Sequence, residues 1–349
     1  MNSAAHPSAR PFGIAVLALA AVGAPHAATP AAAATLGSAR PSTFARQPIP
    51  ASQAQRQAME AAGKKPLLYL ADNFNNQISV FDVTKKQSPA PAYVITAGLN
   101  GPQGISTDLS GNLYVANLYG NTVTIYAPGA KSPKATLSQG LSTPVDVKVD
   151  SSGNVYVANS PGLGAQSYVA EFLAGSSSPS SIWYTPAGNQ AISGIALLNP
   201  AQPGQTSIYA AYYTLNGSGY ATGGVFSCYP GNSTCVSLGN TFGQTGGVLV
   251  EESPGLSKPF DYMVVDQYLP GVDNFQQGAP ESQLTTGGTP EFIALNARRT
   301  QLFVADSFYG RVTEYAYPSG KVLNHFNPAA GNQRPFVVGV ATSPAGTFF

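Results

Sequence analysis

Five apolar segments of the sequence end in an aspartate or an asparagine, and these residues have an evident chemical use. They are Asp72, Asn117, Asn159, Asp266 and Asp306. Their carboxylate and amide oxygens can bind Ca²⁺ or accept hydrogen bonds from a ligand. The same side chains also cap tight turns by accepting hydrogen bonds from backbone N–H groups. The capping role is the favoured interpretation, so we expect tight turns at these positions.

Aromatic residues follow several of these segments, in stretches that are predicted to be turns. A solvated turn needs no large ring, so a ring in a turn indicates a contact surface more strongly than a ring within a strand. Tyrosine combines an apolar face with a hydrogen-bonding tip, which suits a peptide or a glycan. Packing against neighbouring elements is the alternative explanation for some of these rings. The set is Phe74, Tyr119, Tyr213, Tyr220, Tyr268, Phe308 and Tyr309.

Side chains typical of catalysis are sparse. Of the three histidines, only His325 lies beyond residue 27. A Ser-His-Asp triad therefore lacks its base, and a histidine-based metal site lacks its ligands. No glycine-rich loop is placed to open a helix and bind a phosphate. After residue 65, acidic residues slightly outnumber basic ones, which argues against nucleic acid as the partner.

A repeat of 40 to 54 residues explains how these residues are positioned. Its clearest copies are PLLYLADNFNNQISVFDV (66–83), GNLYVANLYGNTVTIYAPG (111–129) and TQLFVADSFYGRVTEYAYPSG (300–320). Each copy has an apolar strand that ends in Ala-Asp or Ala-Asn, a short turn, and a strand of alternating polarity. Strand-like segments flank the copies on both sides. Each repeat therefore predicts four strands, which is the number in a propeller blade.

Six copies can be counted, and the two ends of the chain are related. The repeats begin with a second strand near residue 67, whereas the C-terminal PFVVGVATSPAG aligns with the first-strand segment PQGISTDLSG. We therefore predict an all-β, six-bladed β-propeller of four-stranded blades over residues 66–349. The C-terminal strand completes the first blade and leaves no open edge. The equivalent positions that mark the copies are Tyr69, Tyr114, Tyr156, Tyr209, Met263 and Phe303.

The repeat has a recognisable pattern: Pro-x-Gly-Ile, then Gly-Asn-Leu-Tyr-Val-Ala-Asn, then Asn-x-Val-x-x-Tyr. It resembles bacterial NHL-type repeats and, more distantly, gluconolactonase-like propellers. The resemblance implies that the start of each first strand and the turn between the second and third strands share one face. It places Gln103, Ser193 and Glu291 around the central channel on that face. Gluconolactonase-like enzymes hold a divalent cation with Glu and Asn or Asp side chains, and the candidates here are Glu291, Asp146, Asn117 and Asp306.

The N-terminal residues are expected to direct export. Arg10 precedes the apolar run PFGIAVLALAAVGA, which is too short for a comfortable membrane span, and small residues follow near Ala27. We predict a signal peptide over residues 1–27, with an uncleaved membrane anchor as the alternative. Residues 28–65 are rich in Ala, Pro, Ser and Gln and predict a flexible tether. The mature protein would then be periplasmic or extracellular, without a transmembrane segment.

The chain has two cysteines, Cys228 and Cys235, and the residues between them include the turn formers Pro230, Gly231 and Asn232. A hairpin at this point would place the two cysteines on facing strands. An exported protein meets an oxidising compartment. We therefore predict a local disulfide, with two free thiols as the alternative.

Two functions are compatible with these features. The favoured one is a non-catalytic binding module without a cofactor, which uses the turns rich in Tyr, Asn and Asp to contact a protein, peptide or glycan at the cell envelope. The alternative is a hydrolase or lactonase that depends on Ca²⁺ or another divalent cation, with its site in the central channel. Propellers are known to carry both binding and catalytic sites, so the fold does not decide between them.

Overall fold

In the residues that it describes, the computed structural model contains strands and no helices. The abundance of turn formers and the scarcity of charged residues in the sequence predict such an all-β structure. It describes residues 66–84, 90–162, 165–198, 206–215, 221–229, 235–239, 242–252, 260–276 and 279–343. The predicted signal peptide and tether lie outside these ranges. Within them, no helix is long and apolar enough to span a bilayer.

The described residues form twenty-four strands in six antiparallel sheets. The first twelve are β1 (Leu67–Asp72), β2 (Gln77–Asp82), β3 (Tyr93–Ile95), β4 (Pro102–Thr107), β5 (Leu113–Asn117), β6 (Thr122–Tyr126), β7 (Ala135–Leu137), β8 (Pro144–Val149), β9 (Val155–Asn159), β10 (Tyr168–Phe172), β11 (Ser181–Tyr184) and β12 (Gln190–Leu198). The second twelve are β13 (Ser207–Leu215), β14 (Ala221–Cys228), β15 (Val236–Ser237), β16 (Thr245–Glu252), β17 (Phe260–Asp266), β18 (Gly271–Gln276), β19 (Ala279–Thr285), β20 (Pro290–Leu295), β21 (Gln301–Asp306), β22 (Arg311–Ala316), β23 (Val322–Phe326) and β24 (Val337–Ser343).

Each sheet is one blade, and the blades close into a ring. Blades 2 to 6 each use four consecutive strands, beginning with β4, β8, β12, β16 and β20. Blade 1 has the order β24-β1-β2-β3, because the C-terminal strand pairs antiparallel with β1 from Leu67–Ser343 to Ala71–Gly339. The innermost strands contact one another around the ring, and β24 touches both β20 and β4. The predicted six-bladed propeller and its closure by the C-terminal strand are confirmed.

The hydrophobic core lies between adjacent blades. Side chains of β1 alternate between the two neighbouring blades, as the period of a strand requires. Leu68 and Leu70 pack with Phe303 of blade 6, whereas Tyr69 packs with Val115 of blade 2. The repeated aromatic of the second strand therefore serves packing between blades, as its recurrence in the sequence predicts.

A disulfide joins Cys228 at the end of β14 to Cys235 just before β15. The two strands are hydrogen-bonded neighbours, with Ser227 paired to Val236. Both sulfurs belong to buried side chains. The predicted local disulfide is therefore present, and it fastens the outermost strand of blade 4 to the sheet.

Removing this disulfide should lower the stability of the propeller measurably. The bond closes a loop with a sequence separation of 7 residues, and in the loop-entropy description a loop of this size is worth roughly 2–3 kcal/mol. Domains of this size lose about 2–4 °C in melting temperature per kcal/mol. We expect a Cys228→Ala, Cys235→Ala double variant, and the reduced wild-type protein, to melt roughly 5–10 °C below the oxidised protein. Equal melting temperatures with and without reductant would contradict a stabilising role.

Candidate functional site

One end of the propeller brings together two segments from each blade: the loop that leads into the innermost strand and the turn between the second and third strands. In blade 2, the backbone N–H groups of Leu118 and Tyr119 donate to the carbonyls of Gly101 and Asn100, at 2.9 and 3.1 Å. In blade 6, the N–H group of Ser307 donates to the carbonyl of Thr289 at 3.0 Å. We call the end formed by these loops and turns the axial face. It is the face on which the sequence analysis predicted a site.

A β-bulge near the start of every innermost strand determines which side chains face the axis. The register shifts between Pro102 and Ile105 in blade 2, and equivalent shifts occur in the other five blades. A bulge re-aims the side chain of its extra residue. The bulged segments supply several residues to the wall of a central cavity, among them Gln103, Val145, Ser193, Gly246 and Glu291.

The aspartate and asparagine residues that end the second strands act as caps, as predicted. The Oδ1 atom of Asp306 accepts hydrogen bonds from the N–H groups of Tyr309 (2.9 Å) and Thr289 (3.2 Å). The first bond closes the turn, and the second holds the loop that leads into the innermost strand of the same blade. Bonds of the second type join Asn117 to the N–H group of Asn100, Asn159 to that of Ser142 and Asp72 to that of Phe336. Bonds of the first type join Asp266 to the N–H groups of Tyr268 and Leu269.

Two asparagines in the turns also connect one blade to the next. Asn76 and Asn121 have positive φ angles of 48° and 51°, which asparagine tolerates better than most residues. Their Oδ1 atoms accept the N–H groups of Gly101 (2.6 Å) and Thr143 (2.7 Å), which lie in loops of the following blades. The backbone of the axial face is therefore held in place by side-chain hydrogen bonds within and between blades.

The centre of the axial face is a cavity of about 320 Å³. Its wall is largely apolar and aromatic, and one part of it is the stacked pair of Phe74 and Phe336, whose ring centroids are 4.4 Å apart. Arg334 also borders the cavity. Its side chain is exposed, its Nη2 group donates to the carbonyl of Phe308, and its guanidinium lies 5.8 Å from the centroid of the Phe308 ring. The cavity thus combines aromatic surfaces with few charged groups.

Glu291 is the acidic residue of the cavity wall, and its side chain is only 4% exposed. Its Oε1 atom accepts a hydrogen bond from the hydroxyl of Ser307, and its Oε2 atom accepts one from the amide of Gln267, both at 2.6 Å. Burial raises the pKa of this carboxyl from 4.5 to about 8, while the two hydrogen bonds act in the opposite direction and the charge of Asp306 adds to the rise. Burial also raises the pKa of Tyr213, and the nearby Glu291 adds to that rise.

The structure brings most of the predicted residues to the axial face and separates them into two groups. Gln103, Ser193, Glu291, Phe74, Tyr119 and Tyr213 border the cavity. Tyr213, which was predicted in a turn, lies within β13, because β12 and β13 are nine-residue strands. Tyr268 and Tyr309 are in turns outside the cavity wall and are exposed, at 57% and 49%. Tyr220 lies outside the described residues.

The four residues that could hold a divalent cation have other partners. Both carboxylate oxygens of Asp146 accept hydrogen bonds from Lys148, at 2.6 and 2.7 Å, and the N–H groups of Val147 and Ile195 also donate to them. Asn117 and Asp306 bind backbone N–H groups, as described above. Across the part of the chain that the structure describes, no group of three or more His, Cys, Asp or Glu side chains could hold a metal ion. Glu291, Asp146, Asn117 and Asp306 therefore each have hydrogen-bond partners within the protein, and the cation site that the resemblance implies stays a prediction.

Several cavity residues were not found by the sequence analysis. Gln267 and Ser307 bind Glu291, and Phe336 and Arg334 belong to the segment between β23 and β24. Gln267 and Ser307 directly follow the aspartates that end their strands, so the repeat alignment contained a signal for them. Phe336 lies at the start of the C-terminal segment that was aligned with the first strands, but neither it nor Arg334 matches a residue type of the repeat motif, so neither was proposed.

Comparison with known proteins supports the fold. No family model matches the chain, and no curated protein matches it. A chain from a crystal structure of a nidogen–laminin complex is similar, with a TM-score of 0.58 and 14% identity over 79% of this chain and 98% of that chain. A functionally unknown protein from Desulfotomaculum acetoxidans DSM 771 is also similar, with a TM-score of 0.50 and 16% identity over the same shares. At these identities the likeness concerns the fold alone.

Proposed function

We propose that the chain is an exported, non-catalytic binding propeller with NHL-like repeats, whose axial face takes part of a protein, peptide or glycan ligand. The observation that carries this proposal is the cavity of about 320 Å³ in the axial face, whose surface is mostly apolar and includes several aromatic rings. Ligand sites are typically concave, largely apolar and supplied with a few well-placed polar groups. The exposed rings of Tyr268 and Tyr309 extend the aromatic surface beyond the cavity.

The rigidity of the face supports a binding role. Asp and Asn side chains fix both the turns and the loops that border the cavity, so a ligand would meet a preformed site. Preformed sites bind with a smaller loss of conformational entropy than sites that must be ordered by the ligand. One of the structurally similar chains comes from a complex between two proteins, nidogen and laminin, which is in keeping with a protein partner.

Export is supported by two features. The disulfide between Cys228 and Cys235 suits an oxidising compartment, and the N-terminal residues resemble a signal peptide.

The alternative function, a cation-dependent hydrolase or lactonase, receives no such support, because the four residues proposed as ligands have hydrogen-bond partners in the protein. We therefore favour binding without a cofactor.

Replacing both Tyr119 and Tyr309 with alanine should weaken partner capture and leave the fold intact. The two residues occupy equivalent positions in the turns NLYGN and SFYGR, and their side chains are 46% and 49% exposed. The guanidinium of Arg311 lies 4.8 Å from the Tyr309 ring, a contact worth roughly 0.5–1 kcal/mol at an exposed site. We expect the melting temperature to fall by a few degrees at most, while capture of envelope components and glycan-array signals fall at least about tenfold. Loss of a buried aromatic would instead cost roughly 3–5 kcal/mol.

Tyr184→Ala is a suitable control for this experiment. Tyr184 is 41% exposed, but it lies on β11, the outermost strand of blade 3, at the periphery of the propeller and outside the cavity wall. The control should retain the capture of the wild-type protein. If the double variant captured the same components as the wild type, the turn face would not be the binding surface. If it melted far below the control, the two rings would be packing residues.

A further inference from the structure

The cavity of the axial face contains a buried acid without a cationic partner. Among the described residues, Glu291 is bonded only to two neutral groups, the Ser307 hydroxyl and the Gln267 amide. Burying a carboxyl group is costly unless a cation or several hydrogen bonds compensate it. Glu291 also lies near a second carboxyl, Asp306, and near the phenol of Tyr213. Of these groups, Glu291 borders the cavity as an acid, and its ionised form favours a positive charge there.

Two cations close to rings of the cavity wall, Lys148 and Arg334, are already engaged. Lys148 binds both oxygens of Asp146, and it lies 6.0 Å from the centroid of the Phe292 ring. Arg334 is exposed at the edge of the cavity, where it binds the carbonyl and covers the ring of Phe308. Neither is hydrogen-bonded to Glu291, so a ligand can supply the missing charge.

The walls suit an ammonium group on an apolar stem. Phe74, Phe336, Phe308, Tyr119 and Tyr213 border the cavity together with Leu118, Val145 and Ile192. Aromatic faces attract cations, and the effect increases when the cation loses its water. The methylene groups of a lysine side chain would be buried against the same surfaces. An anionic ligand would instead meet the carboxyl of Glu291.

The hydrogen bonds of Glu291 favour an ammonium over a guanidinium. A guanidinium binds a carboxylate best through two parallel hydrogen bonds, which take one lone pair on each oxygen in the plane of the carboxylate. Each oxygen of Glu291 already accepts a hydrogen bond, from Ser307 or from Gln267. A compact ammonium needs only one further lone pair and can place its other donors on neighbouring oxygens, such as the hydroxyl of Ser193.

We propose that the axial cavity binds a lysine side chain presented by a peptide or protein partner, and that Glu291 is the acid that pairs with its ammonium group. This inference rests on the proposed binding function and names the chemistry that the cavity recognises. The cavity volume of about 320 Å³ is at the lower end of the range of ligand sites, roughly 300–1,000 Å³, which suits one side chain better than a large ligand.

Calorimetric titration with short capped peptides tests the proposal. The probe is acetyl-Gly-Lys-Gly-amide, and the comparison probes carry arginine or norleucine in place of lysine, with n-butylamine as a free ammonium. We expect the lysine peptide to bind at least about tenfold more tightly than each of the three others. Binding should strengthen by up to about tenfold per pH unit between pH 6 and 7 and level off above about pH 9, because the ammonium keeps its proton there while Glu291 loses its own. Glu291 releases its proton when the ammonium binds, so the measured heat of binding should depend on the buffer that takes up this proton.

Two variants provide the controls. Glu291→Gln should reduce lysine-peptide binding to the level of the norleucine peptide and remove the pH dependence. Glu314→Gln should change neither, because Glu314 is also a buried acid bonded to a glutamine but does not border the cavity. A cooperative melting transition in both variants would show that they fold.

Four outcomes would overturn the assignment. Equal binding of the norleucine or arginine peptide would show that the cavity does not select the ammonium group. Equal binding of n-butylamine would show that the peptide backbone contributes nothing to binding. Unchanged binding by Glu291→Gln would remove the role of the acid. No binding of any probe, with partner capture still dependent on Tyr119 and Tyr309, would reject the lysine site and leave the proposed binding function standing.

Discussion

Replacing Glu291 with glutamine should stabilise the protein at alkaline pH. The carboxyl has a pKa of about 8 in the folded protein and an ordinary value of 4.5, which we take for the unfolded chain. Because the folded state holds this proton more tightly, its stabilising contribution is complete below about pH 4.5 and is lost as the pH rises to 8 and above. At 1.36 kcal/mol per pKa unit, the loss is on the order of 4–5 kcal/mol. Glutamine cannot ionise, so the variant should not lose this stability at alkaline pH.

The hydrogen bonds of Glu291 can be kept by glutamine. The new amide oxygen can accept from Gln267, and the new NH₂ group can donate to the Ser307 hydroxyl, which rotates to accept it. We therefore expect similar stability of both proteins near pH 4.5 and a variant that melts roughly 10 °C higher at pH 9.

Thermal and urea unfolding between pH 4.5 and 9 would measure this difference. Other buried carboxyls, including Asp146 and Glu314, titrate in both proteins, so their effects cancel when the variant is compared with the wild type at each pH. The effect of Asp306 cancels only in part, because this carboxyl interacts with Glu291. If the stability of the variant and that of the wild type changed equally with pH across this range, Glu291 would be ionised in the folded protein at ordinary pH.

The repeat alone predicted most of the fold, because the same physical requirement recurs in every blade. The second strand must bury an aromatic or large apolar side chain between two blades, and Tyr69, Tyr209 and Phe303 are all less than 3% exposed. Because this requirement repeats, degenerate copies could be aligned, and Met263 was correctly placed in a second strand. The missing first strand then predicted the closure by the C-terminus.

The candidate site was predicted less completely, because it depends on departures from the repeat. The resemblance placed Gln103, Ser193 and Glu291 around the channel, but the bulges that present them there leave no mark in the residue types of the strands. The long β12–β13 pair moved Tyr213 from a turn into a strand. The capping role of Asp72 and its equivalents was predicted, because short polar side chains at the ends of strands have few other uses.

The segment between β23 and β24 shows why part of the site has no sequence signal. Its residues are held by side chains of blade 1: Gln77 donates to the carbonyl of Ala329 at 2.8 Å, and Asn75 accepts the N–H group of Gln333 at 2.9 Å. Ala329 is 252 residues from Gln77 and Gln333 is 258 residues from Asn75 in sequence, so these bonds require the ring to be closed. Phe336 and Arg334 reach the cavity through this long-range contact, which no local pattern encodes.

Deleting the C-terminal strand should abolish cooperative folding. A chain that ends at Arg334 lacks β24, and with it the buried side chains of Val337, Val338 and Val340. Burial of each valine contributes roughly 1.5–3 kcal/mol, so the loss approaches the 5–15 kcal/mol that stabilises a typical domain. The deletion also leaves the edge of β1 without its partner and removes the contacts of β24 with β20 and β4. We expect no cooperative thermal transition and increased binding of a hydrophobic dye.

Adding the missing strand as a peptide should restore the transition. A synthetic peptide of residues 335–343 can pair with β1 as the native strand does, because an exposed strand edge accepts an added strand through main-chain hydrogen bonds. The matched control is the same peptide with Gly339→Val. A Cβ atom at Gly339 would lie 2.0 Å from the carbonyl oxygen of Gln103 and 2.9 Å from Ala71, so the control peptide cannot occupy the place of β24. The melting transition, followed against peptide concentration, should reappear with the native peptide and stay absent with the control. A truncated chain that melts cooperatively within a few degrees of the full chain would show that the five remaining complete blades hold the ring without this closure.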